Sequence, residues 1–166
     1  QDILKEKENG GFDAVFVAIG AHLAKKVNIP AQEASKILDA VSFLKEADEN
    51  SDNKPLLGRR VAIYGGGNTA MDAARTAKRL GADEAMIIYR RDREHMPAHE
   101  FEADEALSEG VKIHWLSTIK NMETSSITVE KMQVVNGKAV PTGEYETLEA
   151  DSLILALGQE ADTDFL

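Results

Sequence analysis

Apolar side chains along this chain follow two rhythms, uninterrupted runs that suit buried strands and three-to-four-residue recurrences that suit one face of a helix. Phe12 to Gly20 is a nearly continuous run of β-branched and aromatic residues and predicts a strand buried on both faces. After Pro30, the spacing of Ile37, Leu38, Val41 and Leu44 predicts a helix between residues 34 and 47, with Ser35 or its predecessors as cap. Asp48 to Lys54 is polar and precedes Pro55, which predicts a surface linker. A second apolar run, Val61 to Tyr64, enters Gly65-Gly66-Gly67. Ala70, Ala73, Ala74 and Ala77 follow at i, i+3, i+4 and i+7, a small-residue stripe able to lie close against a sheet, and Gly81 stops this helix after Arg75, Lys78 and Arg79.

Ala85 to Tyr89 predicts the next strand, and Phe101, Ala103, Ala106 and Leu107 the next helix, with Pro97 in its first turn and Gly110 at its end. Val111 to Leu116 reads as a third strand, in which Trp115 serves packing. From Ser117 to Ala150 the runs become short and alternating around Asn136-Gly137, which predicts an antiparallel meander. Ser152 to Gly158 is a last apolar strand ending Ala156-Leu157-Gly158, an echo of Ala18-Ile19-Gly20. Strands alternating with helices, then a meander, predict an α/β fold of Rossmann-like three-layer (ββα) form: a parallel central sheet, helices on one face and the antiparallel meander on the other. The expected organisation is one dinucleotide-binding domain over 1–166. Residues 1–54 supply a leading strand, helix and linker, and 55–166 the nucleotide-binding core with its meander at 117–150.

The glycine turn carries the chemistry. Gly65 permits a tight turn, Gly67 lets backbone approach a pyrophosphate, and Ala70 allows close helix-sheet contact; with Gly66 they form a candidate dinucleotide site. The helix behind them aims unpaired N–H groups and the positive end of its dipole at the phosphates, with Asn68 or Thr69 as N-cap. At the end of the second strand, where an NAD binder places a carboxylate, this chain has Arg90 and Arg91, with Arg93 as a possible third contact. A guanidinium fork suits a 2′-phosphate bidentately and also stacks on adenine, so the pattern points to NADPH. Gly158, closing the last strand, completes the cofactor-binding set.

Composition narrows the alternatives. At 166 residues the chain is about one domain, with 43% hydrophobic and 29% charged residues. Mean hydropathy is −0.31 and no apolar run approaches a membrane span. A net charge of −10 argues against sequence-independent nucleic-acid or anionic-lipid binding, which Lys and Arg would have to supply. The absence of cysteine removes disulfides, thiol redox pairs and iron-sulfur ligation from this chain and fits a reducing cytoplasm; no signal peptide is legible from Gln1 onward. His95 and His99 have the i, i+4 spacing of a helical metal pair, but Pro97 between them breaks the face, so no metal site is expected. Glu100, Glu102, Asp104, Glu105 and Glu109 read as a wet helix face, and no side chain is expected to be catalytic.

Val-Ala-Ile-Tyr-Gly-Gly-Gly-Asn-Thr-Ala-Met-Asp-Ala-Ala (61–74), Tyr-Arg-Arg-Asp (89–92), Met96-Pro97, Glu109-Gly110-Val111 and Ala-Leu-Gly (156–158) together make the chain resemble the NADPH-binding domain of the glutamate synthase small (beta) subunit family. The resemblance covers essentially the whole chain and extends to FAD-dependent pyridine nucleotide oxidoreductases such as the N-terminal flavin region of dihydropyrimidine dehydrogenase. It implies a flavin domain split around the NADPH domain, and hydride passing from NADPH to FAD and onward through iron-sulfur clusters. It also implies that Gly65, Gly67 and Ala70 line the pyrophosphate turn and that Arg90 and Arg91 bind the 2′-phosphate. The family's FAD glycine motif and cysteine-rich cluster domain are missing, which makes this chain look like a partial domain whose FAD and clusters belong to other segments or partners. Related thioredoxin reductases carry a Cys-x-x-Cys pair and a third arginine four residues past the first two; here there is no cysteine, and His95 stands at that place.

Two function classes follow. The first is an oxidoreductase component that presents NADPH to FAD held mainly by the flavin domain of a longer protein, inactive as a fragment and associated with a larger oxidoreductase subunit. The second is an NAD(P)-sensing or regulatory module without redox turnover.

Overall fold

The structure, a computed structural model, describes residues 5, 9–14, 16, 18, 20–21, 23–25, 28–31, 36–48 and 55–160. Ten strands are distinguished: β1 (Leu23–Ala24), β2 (Lys36–Asp39), β3 (Arg60–Tyr64), β4 (Glu84–Ile88), β5 (Lys112–His114), β6 (Ser117–Met122), β7 (Ser126–Val135), β8 (Lys138–Glu149), β9 (Ser152–Leu155) and β10 (Gln159–Glu160). Helices α1 (Ala40–Asp48), α2 (Asn68–Arg79) and α3 (Glu100–Ser108) accompany them. The central sheet runs β2-β9-β3-β4-β5, all parallel.

Burial along the strands alternates between two cores. Val61 and Ile63 of β3, Ala85 and Ile87 of β4 and Ile154 of β9 pack with Phe43 of α1, the alanine stripe and Met71 of α2, and Ala103 and Ala106 of α3. The intervening Ala62, Met86, Ile88 and Leu153 pack instead against Ile119, Met122, Ile127 and Val129 of the meander β6-β7-β8. Helices on one face and antiparallel strands on the other make the three-layer α/β architecture that the sequence predicts. Ala70, Ala73, Ala74 and Ala77 are all fully buried, so α2 lies close to the sheet on its small-residue stripe. Fully buried Ile63, Ile87 and Ile154 sit side by side across three strands, and each such side chain stabilises the fold by roughly 1.5–3 kcal/mol. The hairpin turn at Asn136 and Gly137 has positive φ at both residues, 51° and 73°, as a two-residue primed turn requires.

Five expectations are corrected. Ile37 and Leu38 belong to strand β2, paired beside Leu153 and Ile154, and the helix begins only at Ala40. Two consecutive apolar residues read alike as a strand or as the first turn of the helix that follows without a loop. The junction residue is Asp39, whose Oδ1 accepts the backbone N–H groups of Val41 (3.1 Å) and Ser42 (3.0 Å) and so caps α1; Ser35 lies outside the described residues. The described residues of the 12–20 run form no strand, and Phe12 and Phe16 are 49% and 92% exposed. An apolar run becomes a buried strand only where a neighbour supplies backbone partners, and the described strands pair among themselves. Val15, Val17 and Ile19 lie outside the described residues, as do 49–54 of the expected linker. Pro97 precedes α3 rather than entering it, and strand β5 is shorter than 111–116, leaving Trp115 in the turn beyond.

Asp151, between β8 and β9, ties the start of β3 to the start of β9. Its carboxylate accepts the backbone N–H groups of Arg59 (2.9 Å) and Arg60 (2.8 Å) and the Arg60 guanidinium (2.9 Å). The bond from Arg60, opposed by partial burial and helped by both backbone donors, holds its carboxyl below the usual aspartate value. A depressed folded pKa contributes stability at neutral pH that fades as pH falls through the carboxylate range. Asp151→Ala is therefore expected to cost about 1–2 kcal/mol in urea unfolding at pH 7, the deficit shrinking below about pH 4. A deficit that persists undiminished in acid would show that the ionised carboxylate is not its source. Among the described residues, no helix is long and apolar enough to cross a membrane.

Candidate functional site

An open cleft of about 520 Å³ lies beyond the carboxyl ends of β3, β4 and β9. The last strand of the central sheet, β9, is inserted between β2 and β3, so the chain reverses its direction of travel across the sheet beside β3, the place where open α/β sheets form ligand crevices. Gly65, Gly66, Gly67 and Thr69 form one wall, Tyr89, Arg90 and Arg91 a second, and Ala156, Leu157 and Gly158 a third, with Lys25, Tyr64, Ile88 and Pro97 completing the lining. Seven of the sequence-predicted residues thus meet here: Gly65, Gly66, Gly67, Thr69, Arg90, Arg91 and Gly158.

The three glycines answer three different demands. Gly65 has φ +152°, and a Cβ there would stand 2.2 Å from the Ala156 carbonyl oxygen, so the close approach of the chain just beyond β3 and β9 requires it. A Cβ on Gly66 would stand 2.4 Å from the Tyr89 ring. At Gly67 a Cβ would meet nothing within 4 Å, so here the missing side chain leaves open space at the mouth of α2. Gly67 is also the N-cap of α2 (φ −93°, ψ 176°), which corrects the expectation of Asn68 or Thr69 in that role. Asn68 is engaged elsewhere: its Oδ1 accepts the His99 N–H at 3.0 Å, while the Gly66 carbonyl accepts the Ala98 N–H at 3.0 Å. Those two bonds tie residues 98 and 99 to the glycine turn, with His99 extended (φ −61°, ψ 142°), so the helix starts only at Glu100 and not at Pro97. The N–H groups of Asn68 and Thr69 have no intrahelical acceptor and stand at the positive end of the dipole, where Thr69 lines the cleft and Asn68 does not. Ala70 is buried beneath the turn, in the helix-sheet contact, and does not line the cleft.

The basic residues separate into two groups. Arg59 pairs with Asp83, Arg60 with Glu149 and Asp151, Arg75 with Glu102, Glu105 and Glu109, Arg79 with Glu109, and Arg93 with Asp104 at 2.5 Å and Glu100 at 3.9 Å. Arg93 lies outside the cleft. Arg90 and Arg91 line it and have no carboxylate partner among the described residues. In a chain of net charge −10 this pair is a local concentration of uncompensated positive charge facing a pocket. The Arg75 and Arg79 contacts hold the Glu109 carboxyl below its ordinary value.

The loop after the arginines is tied to itself. Asp92 Oδ1 accepts the His95 N–H at 3.1 Å and lies 2.6 Å from His95 Nδ1, and the His95 contact keeps the Asp92 carboxyl below its ordinary value. His99 caps α3 and stacks on Phe101 at 5.7 Å, so His95 and His99 do not share a helix face. Sequence reasoning did not select Tyr64, Ile88, Tyr89, Lys25 or Pro97 for the cleft. Tyr89 and Pro97 stood inside the quoted Tyr-Arg-Arg-Asp and Met-Pro motifs, while Lys25 is brought in by the β1–β10 pairing and its N–H bond to the Gly158 carbonyl at 3.1 Å, which no local pattern announces.

Residues 1–166 match the family described as pyridine nucleotide-disulphide oxidoreductase. The chain is 36% identical over 181 residues to the NADP(+)-dependent formate dehydrogenase subunit beta of Moorella thermoacetica, a match covering 99% of this chain and 25% of that protein. It is 32% identical over 170 residues to the glutamate synthase (NADPH) small chain of Azospirillum brasilense, covering 90% of this chain and 35% of that one. The chain thus spans between a quarter and about a third of these relatives. Among solved structures, FprA of Mycobacterium tuberculosis in complex with NADPH shares the fold, with a TM-score of 0.71 at 19% identity over 96% of this chain and 53% of that one.

Proposed function

Because the chain belongs to the pyridine nucleotide-disulphide oxidoreductase family, we propose that its cleft binds NADPH and positions it for hydride transfer to a flavin. The observation that carries this reading is the placement of Arg90 and Arg91, without carboxylate partners among the described residues, in the same cleft as the glycine turn. The open space at Gly67 and the N-terminal N–H groups of α2 suit a pyrophosphate. The guanidinium pair at the end of β4 suits a 2′-phosphate, which it would engage with charge-assisted, bidentate bonds. Gly158 and its neighbours close the cleft on the side of β9. NADPH bound here supplies the hydride, and the chain contributes orientation and charge rather than a catalytic side chain.

The remaining parts of the proposal concern what lies around the domain. FAD is held mainly by a flavin domain of the same, longer protein in the cytoplasm. A larger oxidoreductase subunit takes the electrons onward, in keeping with the words subunit beta and small chain in the names of two relatives, and iron-sulfur clusters in other segments or partners carry them. Isothermal titration of the chain with NADP+ and with NAD+ tests the cofactor assignment directly. NADP+ is expected to bind about a hundredfold more tightly, the yield of two charge-assisted contacts. Equal affinities would sink it.

A further inference from the structure

Tyr89 joins three parts of the cleft that sequence alone leaves separate. Its side chain is 6% exposed, its ring meets Trp115 edge-on at 6.3 Å and 81°, and it fills the space that a side chain at residue 66 would need. Its hydroxyl donates to the His95 carbonyl at 2.6 Å and accepts the Arg91 Nε–H at 3.1 Å, and the Arg91 guanidinium carbon lies 5.9 Å from the ring centroid. Arg91 is thereby fixed at both ends, since its carbonyl accepts the Leu116 N–H at 3.1 Å. With Nε occupied by the phenol, both Nη nitrogens remain without a protein partner among the described residues. An arginine side chain loses rotamer freedom when it is ordered, and a fork fixed before the ligand arrives has already met much of that cost.

Resting on the NADPH reading, we propose that Tyr89 is a positioning residue for cofactor choice: its phenol oxygen and ring hold Arg91 with its two Nη nitrogens free for the 2′-phosphate. The hydroxyl works in both directions at once. By donating to His95 it turns its lone pairs toward Arg91, and by holding the His95 carbonyl it anchors the 92–97 loop beside the arginine pair. Gly66 belongs to the same device, because only a residue without a Cβ lets the glycine turn settle on the Tyr89 ring.

Tyr89→Phe keeps the ring against Gly66 and Trp115 and removes only the oxygen. Titrations with NADP+ and NAD+ in the parent chain, Tyr89→Phe, Arg91→Ala and the double variant read the effect. Tyr89→Phe is expected to weaken NADP+ binding about tenfold and to leave NAD+ within about twofold, the yield of one hydrogen bond to a charged group. Its penalty is expected to vanish once Arg91 is alanine, because the two act as a unit. A parallel loss for both nucleotides, or a loss that persists in the Arg91→Ala background, overturns the proposal by showing a merely structural role. A parent chain that discriminates and a Tyr89→Phe variant that discriminates equally well overturn the role of Tyr89 alone. A parent chain that does not discriminate overturns the NADPH reading beneath it.

Discussion

Replacing Arg90 and Arg91 together by alanine is expected to weaken NADP+ binding by about a hundredfold to a thousandfold and to leave NAD+ binding almost unchanged. The asymmetry follows from where the two side chains sit. Neither makes an ion pair within the described chain, whereas the other five arginines are each held by at least one carboxylate. Removing the pair therefore leaves no buried carboxylate unpaired, and the melting temperature is expected to stay within about 2 °C of the parent. The single variants divide the effect. Arg91 is partly buried and bonded to Tyr89, so its loss is expected to cost more than that of the exposed Arg90. Raising salt from low to physiological strength is expected to weaken NADP+ binding more than NAD+ binding, since the extra interaction is between charges. An unchanged ratio of the two affinities in the double variant would remove the arginines from the 2′-phosphate assignment.

What could be read from the sequence was whatever depended on local spacing. Three glycines after Val61-Ala62-Ile63-Tyr64 and an alanine stripe at helical period predict a strand, a tight turn and a closely packed helix, and each is a nearest-neighbour property. The Asn136-Gly137 turn is legible for the same reason, because a primed two-residue turn needs positive φ at both positions and few residue pairs tolerate it. What escaped depended on distant partners. β2 exists because Ile37 and Leu38 find Leu153 and Ile154 more than a hundred residues away, and alone they continue the helix pattern that follows. The run at 12–20 has the composition of a buried strand but no pairing partner among the described residues. Within the cleft, Arg93 is as basic as its neighbours, and only the approach of α3 with Asp104 and Glu100 removes it from the lining. The differing roles of Gly65, Gly66 and Gly67 are likewise invisible in a G-G-G string, since each is defined by what stands opposite.

Gly65→Ala and Gly67→Ala are expected to fail in opposite ways, which separates the fold from its ligand within one turn. At Gly65 the new methyl would stand 2.2 Å from the Ala156 carbonyl oxygen and 2.8 Å from its carbon, at a φ of +152° that side-chain-bearing residues rarely adopt. Those atoms are backbone and cannot rotate away. Relieving the clash means parting β3 from β9 where the Ala156 N–H donates to the Tyr64 carbonyl at 2.9 Å, and moving a residue whose own N–H is tied to the Ile88 carbonyl of β4 at 3.2 Å. The expected cost is about 3–5 kcal/mol, or a fall of roughly 10 °C in melting temperature for a chain of this length. At Gly67 the methyl meets nothing within 4 Å and φ is −93°, so folding is expected to be unchanged or slightly favoured. The space it fills is the approach to the first N–H groups of α2, so NADP+ and NAD+ are expected to lose affinity together, by about tenfold or more, because both carry the pyrophosphate. Thermal unfolding and titration of both variants read the two effects independently. A Gly65→Ala chain that melts with the parent would refute the close approach to Ala156 as the reason for that glycine. A Gly67→Ala chain that binds both nucleotides as the parent does would place the pyrophosphate somewhere other than the mouth of α2.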